Sequence, residues 1–156
     1  MAKVPESNCS IERSLGILGE RWTFLILREA FLGATRFAEF RDRLGVAPDV
    51  LSDRLATLVE YGVMEREPYR EPGARSRFAY RLTSAGRELA LVLGALQQWG
   101  DEHLPCAEGP SVLRRVRGTD RPVHVGYVDE RGREVELADF AAIPAGASLV
   151  RPSGAP

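Results

Sequence analysis

The stretch that decides the fold runs from residue 35 to residue 82: TRFAEFRDRLGVAPDVLSDRLATLVEYGVMEREPYREPGARSRFAYRL. The apolar residues near its start recur at the spacing of one helix face, namely Phe37, Phe40 and Leu44. Thr35 is a favourable N-cap, because its hydroxyl can accept a hydrogen bond from a free backbone N–H. We therefore predict a short helix over residues 36–44.

A tight turn and a second helix follow directly in the sequence. Residues 45–47, Gly-Val-Ala, form the predicted turn, and Pro48 opens the helix at a position where its missing N–H costs nothing. This helix is predicted to run to about Tyr61, with an inward face formed by Leu51, Leu55 and Leu58. Because such a turn holds two short helices at a steep angle, the second helix can enter a major groove.

Two short strands around a Pro/Gly tip predict a hairpin after the second helix. The strands are expected over residues 63–67 and 77–82. Residues 66–81 hold five arginines against two glutamates, a local charge of +3 in a chain whose formal net charge is −1. In isolation, solvated arginines on an exposed hairpin would explain this charge equally well. Next to the pair of helices, the pattern favours a winged helix-turn-helix that binds DNA.

Apolar stripes at helical spacing flank this unit on both sides. One runs over residues 11–25, where two glycines and a charged pair could divide it into two helices. The other follows Thr83, a second favourable N-cap, over residues 89–99, and Pro105 ends it. Together they offer more apolar surface than one small domain can easily cover, which predicts a homodimer.

After the last predicted helix, the helical spacing of apolar residues gives way to short segments with a strand-like pattern. Residues 112–116 could form a strand, and residues 122–128 and 133–137 are predicted to pair around a turn. We expect a small β-hairpin appendage of unknown role over residues 109–147 and a flexible tail over residues 148–156. Since so short a hairpin is not stable alone in water, the appendage should pack on the main domain or on a partner subunit.

The composition is that of an ordinary soluble globular protein of 156 residues, with 44% apolar and 28% charged residues. No secretory signal is visible, and the most apolar run, residues 89–96, is too short to cross a bilayer, so a cytoplasmic location is expected. Two cysteines and two histidines make a disulfide framework or a metal cluster improbable. Without a phosphate-binding glycine loop or a Ser-His-Asp pattern, we expect neither an enzyme nor a cofactor.

An ordered set of residues is specific as a whole, although none of its pieces decides alone. The set comprises Cys9, Leu15, Gly19, Arg21-Trp22, Ile26-Leu27, Arg36-Phe37-Ala38-Glu39-Phe40, Leu51-Ser52-Asp53-Arg54-Leu55, Leu58, Gly62, residues 75–83 and Gly86. Over about residues 8–104 the sequence resembles the HxlR-type regulators, winged-helix transcription regulators related to the MarR type.

This resemblance implies a mainly α fold with a small β component, in which residues 8–106 form a DNA-binding and dimerisation domain. The first helix and the C-terminal helix would build a homodimer whose two wings reach one pseudo-palindromic operator on double-stranded DNA. Two positions depart from the family pattern. Ala47 replaces a hydroxyl-bearing cap before the recognition helix, which should cost about 1 kcal/mol unless another group caps it. Asp53 stands where a neutral polar residue is frequent.

Eight residues are predicted to lie at the DNA interface: Arg36, Pro48, Asp49, Ser52, Asp53, Arg54, Arg75 and Arg77. The resemblance places Ser52 and Arg54 on the exposed face of the second helix. Arg54 is the main candidate for a phosphate or guanine contact, with an intrahelical pair to Asp53 or Glu60 as the alternative. Arg36 begins the helix that crosses the DNA backbone, while Arg75 and Arg77 lie on the wing.

Two carboxylates occupy the leading part of the second helix. Asp49 and Asp53 should weaken nonspecific binding because they repel phosphates, yet they could accept hydrogen bonds from cytosine amino groups. For Asp49 we favour a simpler role, in which it complements the helix dipole from the first turn. The role of Asp53 stays open.

Cys9 coincides with a cysteine that recurs in the resembling family and senses oxidants or electrophiles in some of its members. Its position near a helix start, one turn before Arg13, would favour the reactive thiolate. The alternative is a small buried residue at the dimer interface. A small-molecule effector is a further candidate partner. A winged helix used only for protein contacts is the alternative function, but an arginine-rich wing lacks the apolar anchors that it would need.

Overall fold

The computed structural model describes residues 4–70, 72–73 and 75–144. Its elements in chain order are α1 (Ser10–Leu18), α2 (Arg21–Phe31), α3 (Phe37–Leu44), α4 (Pro48–Glu60), β1 (Met64–Tyr69), β2 (Arg77–Leu82), α5 (Ser84–Glu88), α6 (Ala90–His103), β3 (Tyr127–Val128) and β4 (Glu134–Val135). The fold is therefore mainly α with a small β component. The predicted tail, residues 148–156, lies outside the described residues.

The predicted stripe over residues 11–25 belongs to two helices, because the chain turns at Gly19. The Gly19 N–H still donates to the Leu15 carbonyl at 2.8 Å, as in a last helical turn. A Cβ at Gly19 would lie only 2.5 Å from that same oxygen. Glycine therefore lets α1 end tightly against its own last turn before α2 begins.

The core lies where α2, α3, α4 and the start of β1 meet. Six of its large side chains have 0% of their surface exposed: Ile26, Leu27, Phe40, Leu51, Leu55 and Leu58. The three leucines of α4 are those that helical spacing predicted. Gly45, at φ +60°, ends α3 and makes the turn that brings α4 onto this core.

The start of α3 differs from the sequence prediction by one residue. The N-cap is Arg36, and Thr35 instead joins the edge of β2, where its carbonyl accepts the Tyr80 N–H at 2.7 Å. Glu39 caps the helix in its place, since its Oε2 accepts the N–H groups of Thr35 at 2.7 Å and of Arg36 at 2.9 Å. These two bonds, the one from Arg36 first, lower the pKa of Glu39.

The helix predicted after the β1–β2 hairpin begins at the expected cap but is divided into α5 and α6. The Thr83 hydroxyl accepts the Gly86 N–H at 3.1 Å and donates to the Gly62 carbonyl at 2.6 Å. A Cβ at Gly86 would lie 2.0 Å from the carbonyl oxygen of Val63, the residue before β1, so only glycine allows α5 to approach the backbone this closely there. The chain then turns at Leu89 before α6.

Residues through Leu113 form one compact unit, and a second unit begins at Arg114. Within the second unit, β3 and β4 pair antiparallel with Tyr127 opposite Val135. The predicted turn is present, because the Gly132 N–H donates to the Asp129 carbonyl at 2.9 Å. The paired strands are only two residues long, shorter than predicted. The prediction of a strand over residues 112–116 is wrong, since only an isolated bridge joins Arg115 to Pro122.

Candidate nucleic-acid interface

The outward face of α4 carries most of the predicted DNA-contacting residues. Four of them are exposed: Pro48, Asp49, Ser52 and Asp53. Arg54 is partly exposed, and within the described part of the chain it forms no ion pair with Asp53 or Glu60. The burial of the opposite leucine face therefore holds this polar face toward solvent.

The N-terminus of α4 has no side-chain cap. Ala47 is the N-cap residue and supplies no side-chain hydrogen bond, while Pro48 opens the first turn. The carboxylate of Asp49 lies in that turn, where it complements the positive end of the helix dipole. The missing cap predicted at Ala47 is thus confirmed, and backbone N–H groups of this first turn are left for another acceptor.

The wing is a hairpin in which six residue pairs, from Met64 opposite Leu82 to Tyr69 opposite Arg77, join β1 to β2. Arg75 and Arg77 are exposed at its returning side, as expected for residues that face DNA. Arg81 does not contribute an unpaired charge, because its Nε donates to Glu67 Oε2 at 2.5 Å. Arg75 and Arg77 form no ion pair among the described residues, so both keep their positive charge at the outer end of the wing.

Aromatic rings hold two further arginines in place beside the wing. The guanidinium carbon of Arg36 lies 4.9 Å from the centre of the Tyr69 ring, and that of Arg66 lies 5.1 Å from the centre of the Phe78 ring. Sequence reasoning found Arg36 but missed Arg66, Tyr69 and Phe78. The only signal in the sequence was aromatic residues interspersed among the arginines. Such stacking helps to fix the position of a guanidinium.

Helices α1 and α6 expose apolar side chains that a single chain leaves uncovered. Ile11 is 71% and Leu15 is 55% exposed on α1. On α6, Leu91 is 68% and Trp99 is 57% exposed, and Val92 and Leu96 share this exposure. They form only part of the two stripes that the sequence assigned to dimerisation. Leu18 of the first stripe lies in the core, and Trp22, Leu89 and Leu93 pack against it.

Cys9 is exposed and is the N-cap residue of α1. Its backbone N–H donates to the Ser7 hydroxyl at 3.1 Å. Arg13, expected to support the thiolate, instead donates to the Ser7 carbonyl at 2.5 Å and to the Ser10 hydroxyl at 3.1 Å. The second thiol, of Cys106, is also exposed and donates to Glu108, which lowers the pKa of that carboxyl. Among the described residues, no group of three metal-ligating side chains forms and no helix is long and apolar enough to span a membrane.

The helix pair, the arginine-rich wing and the exposed face of α4 are the features of a helix-turn-helix transcriptional regulator. Comparison with known proteins agrees, since the HxlR-like helix-turn-helix family model matches residues 17–108. The chain belongs to the HxlR-like helix-turn-helix family, a family that implies DNA binding.

Individual relatives fit this assignment. An HTH-type transcriptional regulator of Mycobacterium tuberculosis is 49% identical over 106 residues, which are 68% of this chain and 66% of that protein, just under two thirds of its length. The crystal structure of PA1607, described as a transcription factor, has a TM-score of 0.76 and 34% identity, and covers 88% of this chain and 96% of its own. The redox regulator HypR in its reduced form has a TM-score of 0.56 and 26% identity, over 62% of this chain and 94% of its own.

Proposed function

We propose that the protein binds one pseudo-palindromic operator as a homodimer, with each α4 in a major groove and each wing on the flanking backbone. The observation that carries this proposal is that two features occur together. The inner face of α4 is buried in the core, and the adjacent wing has a local charge of +3. Residues 8–106 are the proposed DNA-binding and dimerisation domain, and residues 109–147 an appendage with a separate role.

The α4 face supports a division of roles among its residues. Arg54 has no carboxylate partner within the described part of the chain, so its guanidinium can form a bidentate contact with guanine or a contact with phosphate. At the uncapped first turn, after Ala47 and Pro48, the carboxylate of Asp49 already complements the helix dipole and would repel a phosphate. Ser52 and Asp53, one helical turn further in, would face base edges, with Asp53 selecting for cytosine.

The wing would position the protein on the DNA rather than select a sequence. Arg75 and Arg77 are exposed near its tip, and Arg36 stands beside it on the Tyr69 ring. Contacts from such arginines to phosphates carry no sequence information by themselves.

The homodimer would form through the apolar faces of α1 and α6. Their exposed side chains include Ile11, Leu15, Leu91 and Trp99. A large apolar surface of this kind on a small soluble protein is typical of an interface. Sedimentation velocity at micromolar concentration should give a dimer, and a monomer there would contradict this arrangement.

The alternative is a winged helix that contacts only other proteins. Binding to the promoter region beside the protein's own gene separates the two functions. DNA binding releases counterions, so affinity should fall steeply and linearly on a log–log plot against salt concentration. Absence of binding, or a flat dependence on salt, would favour the protein-contact alternative.

Cys9 is the proposed redox or effector sensor. Its exposure and the similarity of the chain to the redox regulator HypR support this role. Treatment with a thiol oxidant should weaken operator binding by the native protein, and Cys9→Ser should abolish that response while Cys106→Ser preserves it. If the native protein and Cys9→Ser lost operator binding to the same extent, another residue would be responsible for the response to the oxidant.

A further inference from the structure

The second unit separates its charges along the chain. Residues 114–121, which we call the basic loop, hold four arginines and one aspartate, a local charge of +3. Residues 129–139, the acidic segment, hold five carboxylates and two arginines, a local charge of −3. The charges of the two segments cancel, so the overall composition conceals a strongly basic stretch of eight residues.

Hydrogen bonds fix the course of the basic loop. The Thr119 N–H donates to the Val116 carbonyl at 3.0 Å, and Gly118 between them has φ +75°. This left-handed conformation suits the third residue of a type II turn. The Val116 N–H donates to the Arg121 carbonyl at 2.9 Å, and the Thr119 hydroxyl accepts the Arg121 N–H at 3.2 Å. Because the loop is already closed by these bonds, it loses little backbone entropy when it binds a partner.

Three arginines of the basic loop direct their charge to solvent. Arg115, Arg117 and Arg121 are exposed. None of them forms an ion pair in the part of the chain that the structure describes. Arg115 donates to the backbone carbonyl of Asp120, a neutral acceptor that holds the guanidinium in place. The basic loop therefore presents three cations that no carboxylate of the described residues compensates.

The chemistry of the basic loop favours a partner rich in phosphate groups. A guanidinium can bind two phosphate oxygens through parallel N–H donors. A protein partner would need apolar or aromatic anchors, and Val116, the apolar side chain of the loop, is only partly exposed. Duplex DNA carries one negative charge per about 1.7 Å of helix axis, so it can supply neighbouring phosphates to arginines that lie close together in one short loop.

We propose that the basic loop is a second DNA-contacting element, which binds the phosphate backbone of duplex DNA without reading its sequence. The inference rests on the proposed function, because α4 and the wing of the same chain would bring the protein to DNA. Each phosphate that the loop neutralises releases counterions, so the loop adds affinity for any duplex and steepens the salt dependence of binding. The preference for the operator is left to α4, since phosphate contacts carry no sequence information by themselves.

The test uses the full chain with Arg117→Gln and Arg121→Gln together. Neither side chain has a hydrogen-bond partner among the described residues, so the exchange should not disturb the fold. Fluorescence anisotropy measures the affinity for two labelled duplexes of equal length, the promoter region beside the protein's own gene and an unrelated sequence, at several salt concentrations. The slope of log affinity against log salt should fall by about 2 per subunit on both duplexes, at about 0.9 per phosphate contact. The ratio of the two affinities should stay the same.

Arg131→Gln with Arg133→Gln is the charge-matched control, in the acidic segment, where Arg133 forms an ion pair with Asp129 at 2.7 Å. This control should keep the native slope. An unchanged slope in the variant of Arg117 and Arg121, an equal loss in the control, or a loss confined to the promoter duplex would each overturn the proposal.

The two duplexes also separate this inference from the proposed function. If the native protein preferred the promoter duplex but the basic-loop variant kept the native slope, operator recognition would stand and the basic loop would fail as a DNA-contacting element. If the native protein bound both duplexes equally and the variant lost slope on both, the basic loop would stand and operator recognition would fail. Binding to neither duplex would overturn both.

Discussion

Helix α4 and the wing are both proposed to contact DNA, yet different interactions stabilise the two regions. The inner face of α4 is part of the core, with Leu51, Leu55 and Leu58 fully buried. The wing has few buried side chains, among them Ala79, and relies on its strand pairing and on arginines stacked over rings. A rigidly seated helix can place donors accurately against base edges, whereas an exposed hairpin is better suited to backbone contacts that tolerate small movements.

The largest expected difference between the two regions is in stability. Leu55→Ala removes a fully buried side chain from the inner face of α4 and should lower the free energy of unfolding by about 2–5 kcal/mol. Phe78→Ala on the wing, where the ring is 46% exposed, should cost only about 1 kcal/mol. Urea denaturation at one fixed protein concentration measures both values. Equal losses would mean that the wing is as much a part of the core as α4.

The next expected effect concerns specificity on α4. Arg54→Ala should weaken operator binding by about 1–3 kcal/mol, since a bidentate base contact contributes this much. Arg87→Ala is the control, because Arg87 lies beyond the wing and donates to the Leu82 carbonyl at 2.7 Å and to the Ser84 hydroxyl at 3.2 Å. Fluorescence anisotropy with labelled operator measures both variants. If they bind alike, Arg54 does not contact the operator.

The wing should respond through salt dependence rather than through sequence preference. Replacing both Arg75 and Arg77 with Gln should lower the slope of log affinity against log salt by about 2 per subunit, at about 0.9 per phosphate contact. The ranking of operator variants should stay largely the same. Arg131→Gln with Arg133→Gln, in the second unit, is the charge-matched control. An unchanged slope with a lost base preference would show that the wing reads a groove directly.

The smallest expected effect is on stability and concerns the cap at the start of α3. Glu39→Ala removes the carboxylate that caps α3 and should cost about 1 kcal/mol of stability near neutral pH. Because the fold lowers the pKa of Glu39, this contribution is present above the ordinary pKa of a glutamate and is lost as pH falls through the lowered value. The native protein and the variant should therefore converge in acid. Glu65→Ala, an exposed change on β1, should show no such convergence.

Much of the first unit could be predicted from local pattern. The spacing of Leu51, Leu55 and Leu58 located α4, and Thr83 marked the start of α5 correctly. The misassigned cap at Thr35 has a distant cause, because Tyr80, far along the chain, takes the Thr35 carbonyl into the sheet. The possible strand over residues 112–116 is reduced to one isolated bridge between Arg115 and Pro122, because the extent of strand pairing is set by a distant partner and not by the local sequence.

The candidate nucleic-acid interface, too, could be predicted only in part from the sequence. Sequence marked the exposed residues of α4 and the arginines of the wing, because helix and strand periods decide which residues share a face. It did not find the stacking of Arg36 on Tyr69 or of Arg66 on Phe78. Nor did it find a cavity between α3 and the wing, whose lining comes from two separate segments.

By itself, the sequence determined the order of elements, the helix pair, the wing and its charge, and the family to which the chain belongs. Each of these depends on residues close together along the chain, where spacing and caps act directly. Only the tertiary structure decided that Glu39 rather than Thr35 caps α3, that rings hold Arg36 and Arg66, and that a cationic aromatic cavity separates α3 from the wing. Those features depend on contacts between distant residues, which form only after the core has brought α3 and the hairpin together.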